Sequence, residues 1–483
     1  MSVASVPEPS RRTWVALGVL ATTTLMTILD GSIVTVALPA MQADLGFSPG
    51  ALSWVVNAYL LGFGSLLLLA GRLGDLIGRR RVFLAGTAIF TAASALAGVA
   101  ASAEVLLAAR FLQGVGSAAA TAVSLGILVT LFGEGRHRGL AIAIFSFTGA
   151  AGAAIGQVAG GILTGAAGWP SIFLINLPIG VAAIVAGALV LPADRGAGLR
   201  AGADVLGALL VTAGLALALH AVVTGTEHGF SGAVALTALA AAVLLAAFLA
   251  RQARTAYPLM PLRIFRSRAV AGANAVQVLI MAAMFGFQVL STLFMQRVLG
   301  WSALETGLAM LPAALLIGAI SLGLSAPLMA RFGARAVLLA GLALLALLFG
   351  WLTRVPVDAE YLPDVLPAML LAAGAGLVLP ALTTLGMSGA GPDDAGLASG
   401  VFNTTQQIGM ALGVAVLSGL AATHTQDLIS EGTTEAAART GGYRLAFAVG
   451  AALILAAMAL AAMVLRPAPA TAPPEAARPV ATR

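Results

Sequence analysis

The chain has no cysteine and no lysine, so all 25 of its basic residues are arginine. The missing cysteine rules out disulfides, thiolate metal sites, thiol catalysis and a lipidated N-terminal cysteine, and it leaves the redox compartment open. The missing lysine rules out a GxxxxGK[ST] phosphate loop and a lysine Schiff base, so the polypeptide is not by itself a P-loop ATPase. Histidine is nearly as scarce: His137, His220, His228 and His424 have no metal-ligand spacing, so no metal site is expected. No HExxH motif occurs. Charged residues of both signs make up only 9% of the chain. The net charge of +6 is not a nucleic-acid footprint, because the arginines fall between apolar segments, where lipid headgroups and topology account for them.

Apolar residues fill the space left by charge. They occupy 60% of the 483 positions and the mean hydropathy is +1.01, beyond the roughly 45–50% apolar content of soluble domains. An integral membrane protein follows. A helix crosses the hydrocarbon core with about 20 apolar residues. That rule places spans at 14–38, 50–70, 82–102, 104–132, 139–163, 171–191, 204–224, 231–250, 269–294, 303–329, 335–353, 363–386, 396–421 and 444–465, fourteen in all. The first is a retained span: the run after Arg11 and Arg12 continues to about Pro39, past the roughly 7–15 residues of a signal-peptide core.

The predicted fold class is therefore an all-α polytopic membrane protein of two six-helix bundles with an inserted two-helix hairpin. Its parts are a cytoplasmic N-terminus (1–13), a first bundle (14–191), the hairpin with its preceding loop (192–250), a basic cytoplasmic linker (251–268), a second bundle (269–465) and a disordered Pro- and Ala-rich tail (466–483). Cytoplasmic loops collect arginine. With both termini inside, only Arg297, Arg354, Arg439 and Arg444 fall in outer loops and only Arg110 within a span. A faint repeat links the halves: "GRLGDLIGRRR" (71–81) follows the second span, and "APLMARFGAR" (326–335) follows the second span of the later six. Tandem halves are a feature of alternating-access transporters, with chance similarity in a low-complexity chain as the alternative.

Of 19 acidic residues only Asp30 falls clearly within a span. Asp30 and Arg110 lie at similar depth, roughly 10–14 Å from the outer ends of their spans at 1.5 Å per residue. A carboxylate in hydrocarbon is costly and is usually functional. It can switch its proton with the wetness of a cavity or the approach of an arginine. A static buried pair is the bland alternative, and apolar residues would serve packing better. In the fifth span Gly149, Gly152, Gly156, Gly160 and Gly161 recur at helical spacing, which suits close helix packing. The amides Asn57, Gln113, Gln157, Asn274, Gln277, Gln288, Asn403, Gln406 and Gln407, with Tyr59 and Phe285, are candidates for a weakly polar cavity. Interhelical hydrogen bonding is the alternative for each amide.

These motifs together resemble the major facilitator superfamily, in its fourteen-span drug:proton antiporter branch. "GRLGDLIGRRRVFLAG" resembles the family's inner-loop motif through Gly71, Asp75, Gly78, Arg79 and Arg80, which implies a cytoplasmic gate. "LAARFLQGVGSA" resembles the span-four motif through Arg110, Gln113, Gly114 and Gly116, which implies proton coupling. "LDGSIVTVALP" (29–39) resembles the span-one motif of fourteen-span members, and "FLINLPIG" (173–180) their span-six entry. The chain departs at Gln157, where proline usually follows glycine in the span-five antiporter motif, and at Thr35, where asparagine is usual. The second half's copy of the loop motif lacks the aspartate.

The resemblance implies a monomeric exporter of hydrophobic or amphipathic small molecules in a bacterial cytoplasmic membrane. It would be driven by protons and need no cofactor. A dedicated exporter of one metabolite, lipid or siderophore is the rival. A membrane enzyme or receptor is remote, because no acid–histidine cluster and no large soluble loop is present. In the gate motif, Asp75 is expected at a helix end, latching onto a neighbouring helix N-terminus or an arginine.

Overall fold

The computed structural model describes residues 10–48, 51–132, 136–194, 196–198, 202–229, 231–388 and 395–465. The predicted tail 466–483 and most of the predicted segment 1–13 lie outside them. Every regular element among the described residues is helical. The first set is α1 (Arg11–Leu45), α2 (Ser53–Ile77), α3 (Arg79–Gly98), α4 (Ala103–Leu131), α5 (Arg136–Ala167), α6 (Ser171–Leu174) and α7 (Asn176–Val190). Next come α8 (Val205–His228) and α9 (Gly232–Arg254). The last set is α10 (Arg268–Arg297), α11 (Ala303–Ala319), α12 (Ser325–Phe332), α13 (Ala334–Leu352), α14 (Leu366–Leu371), α15 (Gly374–Met387), α16 (Ala395–Ser430) and α17 (Glu435–Val464).

Thirteen stretches are long and apolar enough to cross a membrane, and α5, with 32 residues, brings the spans to fourteen. Two spans are interrupted by π-turns, at Ile320–Leu324 and Tyr361–Val365, and α6 breaks from α7 at Ile175. The helices start where polar side chains satisfy the free N–H groups of a first turn. Ser10, Ser102, Ser231 and Ser267 cap α1, α4, α9 and α10. Ser302 and Glu305 form a reciprocal capping box on α11.

Several helices outrun the predicted spans. α1 continues past Pro39 to Leu45, and its 35 residues reach about 52 Å, well beyond the roughly 30 Å hydrocarbon core. α17 begins at Glu435, so Arg439 and Arg444 lie in a helix and not in the predicted outer loop. Arg297 likewise closes the last turn of α10. A hydropathy window stops at the first charges, whereas backbone hydrogen bonding continues into the interface, where Arg439 pairs with Glu435 one turn back at 2.6 Å.

Within the first set α1 packs on α5 and α7, and α4 on α2 and α3; within the last, α10 packs on α16 and α17, and α13 on α15 and α17. The sets meet through α5 with α11 and α2 with α16. The hairpin stands beside the second seam: α9 packs on α8, and α8 on both α2 and α16. Its base is tied by the buried Asp204, which accepts from the Gly207 N–H (2.9 Å), Arg251 Nε (2.5 Å) and Gln252 Nε2 (2.7 Å).

The α2–α3 corner is a single residue, Gly78, at φ +102°, a conformation that disfavours any side chain. The α12–α13 corner is Gly333 at φ +81°. Each is followed two residues later by an arginine that donates to a carbonyl near the end of the last helix of its own set: Arg80 to Ala188 on α7, and Arg335 to Ala462 on α17. The weak sequence repeat is thus a shared three-dimensional corner.

Candidate functional site

Asp30, midway along α1, meets side chains from two other helices, α4 and α7. Its Oδ2 accepts from Arg110 Nη1 at 2.5 Å, and its Oδ1 from Gln113 Nε2 and Asn176 Nδ2, each at 3.0 Å. Arg110 and Gln113 lie one turn apart on α4 and face the same way, so Arg110 Nη1 also donates to Gln113 Oε1 at 2.8 Å. Ser94 on α3 accepts from Gln113 Nε2 at 2.8 Å. Asp30 is 0% and Arg110 1% exposed. Two charges withdrawn from water this far are tolerable only when paired and hydrogen-bonded, which this cluster achieves.

The rest of the guanidinium is equally constrained. Arg110 Nε donates to the Val55 carbonyl at 3.0 Å, and its central carbon lies 4.6 Å from the Tyr59 ring centre and 5.7 Å from that of Phe173. The Tyr59 hydroxyl is held between the Ser117 hydroxyl (2.9 Å) and the Thr27 carbonyl (3.2 Å).

On the far side of Tyr59 opens a cavity of about 430 Å³ between the two sets of helices. Thr24, Thr27, Ser32, Tyr59, Phe63 and Thr121 contribute from the first set; Met281, Met284, Phe285, Gln288, Asn403, Gln406, Gln407 and Met410 contribute from the last. No charged side chain lines it among the described residues. Small concave sites of this kind take ligands by apolar contact with a few oriented polar groups. Asp30 and Arg110, expected to share a cavity, instead share a sealed cluster behind its wall.

Small residues bring helices together around the site. A Cβ on Gly156 would lie 2.8 Å from the Leu29 carbonyl oxygen, and one on Gly160 2.9 Å from that of Ile33, so both permit α5 to press against α1 on either side of Asp30. Gly152 meets Ile28 on the same face at 3.2 Å. Gly161 faces away to α11, where a Cβ would lie 2.6 Å from the Ala303 carbonyl oxygen. The surroundings of Gly149 lie outside the described residues. At the C-terminal end of α1 the two sets are also hydrogen-bonded: Gln296 Nε2 donates to the Val36 carbonyl at 2.9 Å, and Arg297 donates to Gln42.

At the opposite end, Asp194 accepts from the backbone N–H groups of Arg79 (2.6 Å) and Arg80 (3.1 Å) and so caps α3. The Ala197 N–H donates to the Asp75 carbonyl at 2.9 Å, closing the same corner.

A family model described as Major Facilitator Superfamily matches residues 20–414. The chain belongs to that superfamily. The cephamycin export protein CmcT of Amycolatopsis lactamdurans is 42% identical over 83% of this chain and 84% of its own length. The puromycin resistance protein pur8 of Streptomyces alboniger is 36% identical over 94% and 92%, respectively. Among solved structures, the POT family transporter PepTSo matches with a TM-score of 0.68 at 16% identity, over 95% of this chain and 99% of its own. The protein is a multi-pass membrane transporter of this superfamily and not an enzyme.

In this superfamily fold the predicted residues divide. Tyr59, Phe285, Gln288, Asn403 and Gln407 line the cavity. Gln113 belongs to the Asp30 cluster instead. Asn57, Gln157, Asn274 and Gln277 are buried away from the cavity wall. Gln157 lies at the α5–α11 seam, its carbonyl oxygen 2.5 Å from where a Gly307 Cβ would be, and Asn274 donates to the Val270 carbonyl within its own helix. Periodicity could not separate these, because an amide on an apolar helix reads the same whether it faces a cavity or a neighbouring helix.

The gate motif forms the α2–α3 corner. α2 runs through Gly71 and Asp75 to Ile77, two residues past the expected end, and of the two expected partners Asp75 takes the arginine, pairing one turn ahead with Arg79 at 3.3 Å, both half-exposed. The carboxylate that reaches a helix N-terminus is Asp194, which the sequence reading missed, as it missed Ser94, Asn176 and the cavity methionines; Gln406, a candidate amide, does line the cavity. Asn176 lies inside the quoted "FLINLPIG" motif, so a signal for it was present.

Proposed function

We propose that the protein is a proton-coupled antiporter that exports hydrophobic or amphipathic, antibiotic-like small molecules across a bacterial cytoplasmic membrane, as a monomer with both termini inside. The observation that carries this reading is the buried Asp30–Arg110 pair beside a central cavity bounded by both sets of helices. Asp30 accepts from three donors, the Arg110 guanidinium among them. Withdrawal of Arg110 leaves a buried anion without compensation, and protonation is the inexpensive remedy. The proton is then given up when the pair re-forms.

In this orientation the hydrogen-bonded end, Val36 and Gln42 with Gln296 and Arg297, faces outward and the cavity is reached from the cytoplasm. The Gly152, Gly156 and Gly160 face lets α5 shift along α1 as the sets rock. The corner of Gly71, Asp75, Gly78, Arg79 and Arg80 acts as the inner gate, pinned by Asp194. Relatives named for cephamycin export and puromycin resistance support an antibiotic-like cargo. Because each is named for a single compound, export of one dedicated metabolite is the second reading, and a panel of unrelated cargoes separates the two by breadth.

The test is Asp30→Asn in liposomes under an imposed pH gradient. Uphill cargo movement should disappear while downhill exchange persists; undiminished uphill transport refutes the proton role of Asp30.

A further inference from the structure

Tyr59 lies both on the cavity wall and against the Arg110 guanidinium, and among the described residues no charged side chain lines that wall. One face of its ring covers the Arg110 guanidinium at 4.6 Å. Its other surroundings belong to the cavity, where Phe63, one turn along α2, stacks beside it with ring centres 6.1 Å apart and planes 24° apart. The hydroxyl is anchored to Ser117 on α4 and to the Thr27 carbonyl on α1, so the ring bridges the helices that carry Arg110 and Asp30. Among the described residues the titratable or charged groups in this cluster are Asp30, Arg110 and Tyr59; Ser94, Gln113 and Asn176 are neutral.

We propose that Tyr59 is the positioning residue that converts cargo occupancy into the protonation state of Asp30, and that the cargo it reads is a flat, uncharged aromatic. This rests on the proton-antiport reading above. A planar molecule stacking on the Tyr59–Phe63 pair fixes the ring against Arg110. The guanidinium is then held on Asp30 by the cation–π contact on one side and the carboxylate on the other, and the Asp30 proton leaves to water. Without cargo against it the ring is held by its Ser117 and Thr27 hydrogen bonds alone, and when these break it swings into the cavity. Arg110 loses its cover, the pair loosens and Asp30 takes a proton back. Cargo and proton thus exclude one another without ever touching the same atom, and a cationic cargo finds no counter-charge on the wall.

The experiment measures protons released from lightly buffered, detergent-solubilised protein on saturation with anthraquinone, a planar neutral probe with no ionisable group, against ethidium, a planar cation. Wild type should release protons with the neutral probe and bind ethidium at least about tenfold more weakly. Tyr59→Leu at saturating neutral probe should release about tenfold fewer protons, the scale of one desolvated cation–π contact. Tyr59→Phe, which keeps the ring, should retain the release with a displaced pH profile. Phe63→Leu should weaken probe binding yet give full release once saturated, which separates stacking from coupling. Wild-type release from Tyr59→Leu overturns the proposal, as does failure of wild type to bind the neutral probe. Release that persists in Asp30→Asn overturns instead the reading on which the proposal stands.

Discussion

The α2–α3 corner and the α12–α13 corner turn on Gly78 and Gly333 and are both braced by an arginine two residues on, which donates to a late carbonyl of α7 or α17. Around the first corner lie Asp75, Arg79 and Asp194; residues 326–335 at the second contain no acid. The same contrast holds deeper in the molecule. The first set carries the buried Asp30–Arg110 pair, while the last lines the cavity with Gln288, Asn403, Gln406, Gln407 and three methionines. The two halves share a scaffold and divide the chemistry: ionic on one side, amide and thioether on the other. A bilayer-spanning scaffold can be duplicated cheaply, but each buried charge needs its own set of partners, and here only one half supplies them.

The largest expected effect breaks the ionic half. Arg110→Ala leaves Asp30 buried and unpaired and should destabilise the protein by about 3–5 kcal/mol, read as loss of folded protein in a detergent melt. The double variant Asp30→Leu with Arg110→Met should recover most of that melting temperature while transporting nothing uphill. If Arg110→Ala melts like wild type, the pair is not what holds this half together.

Next is the α5–α1 contact. Gly156→Leu must displace α1 at Leu29 and should abolish transport and lower the melting temperature. Gly165→Ala, with open space around it, should do neither. Equal effects from the two would show that close packing on Asp30's helix is unimportant.

The amide half should respond differently. Asn403→Ala or Gln407→Ala each removes a hydrogen-bonding group from the wall and should weaken cargo binding by about five- to tenfold. The proton:cargo ratio should be unchanged. A changed ratio would put proton chemistry on both halves and end the comparison.

A smaller effect sharpens the corners. Asp194→Ala removes an N-cap and should cost about 1 kcal/mol, whereas Asp75→Ala removes only an exposed pair one turn apart and should cost about 0.3–0.5 kcal/mol. Chemical denaturation of the two variants decides whether Asp194 or Asp75 holds the α2–α3 corner.

The hairpin base adds a pH signature. Burial pushes the Asp204 carboxyl up, but hydrogen bonds from Arg251, the Gly207 N–H and Gln252 outweigh it and leave the group below the usual carboxylate range. A depressed native value stabilises the fold above the ordinary Asp range, and that contribution disappears as pH falls through the lowered native value. Hydrogen-exchange protection at the start of α8, taken relative to the intrinsic amide rate at each pH, should therefore fall on acidification, and Asp204→Asn should show reduced protection already at neutral pH. Protection in α8 that is flat with pH in wild type would remove Asp204 from this role.

Much of the architecture was legible from composition. Fourteen apolar runs of bilayer length can hardly be anything but helices, because hydrocarbon leaves no other way to satisfy the backbone. The site was legible where a residue type was rare in its surroundings: Asp30 and Arg110 are conspicuous because charge at membrane depth is costly. Ser94, Asn176 and Asp194 were not conspicuous, because serine, asparagine and a loop aspartate are ordinary until a neighbour is placed beside them. Asp75 was legible in part: its charged motif pointed to an arginine partner, found in Arg79, but the helix runs on to Ile77 and leaves the pair half-exposed.

The sequence by itself determined that this is a membrane transporter of helices, where its charges are concentrated and which two of them lie in the bilayer. Only the tertiary structure decided that those two are sealed behind Tyr59, that four of the predicted cavity amides face other helices, and that a loop aspartate caps α3. Hydropathy records how much each segment costs to take out of water, which is a property of one segment at a time. Whether a side chain meets a cavity, a charge or a backbone N–H depends on rotations and offsets between helices, and these are set by contacts such as Gly156 on Leu29, which join residues far apart in the chain.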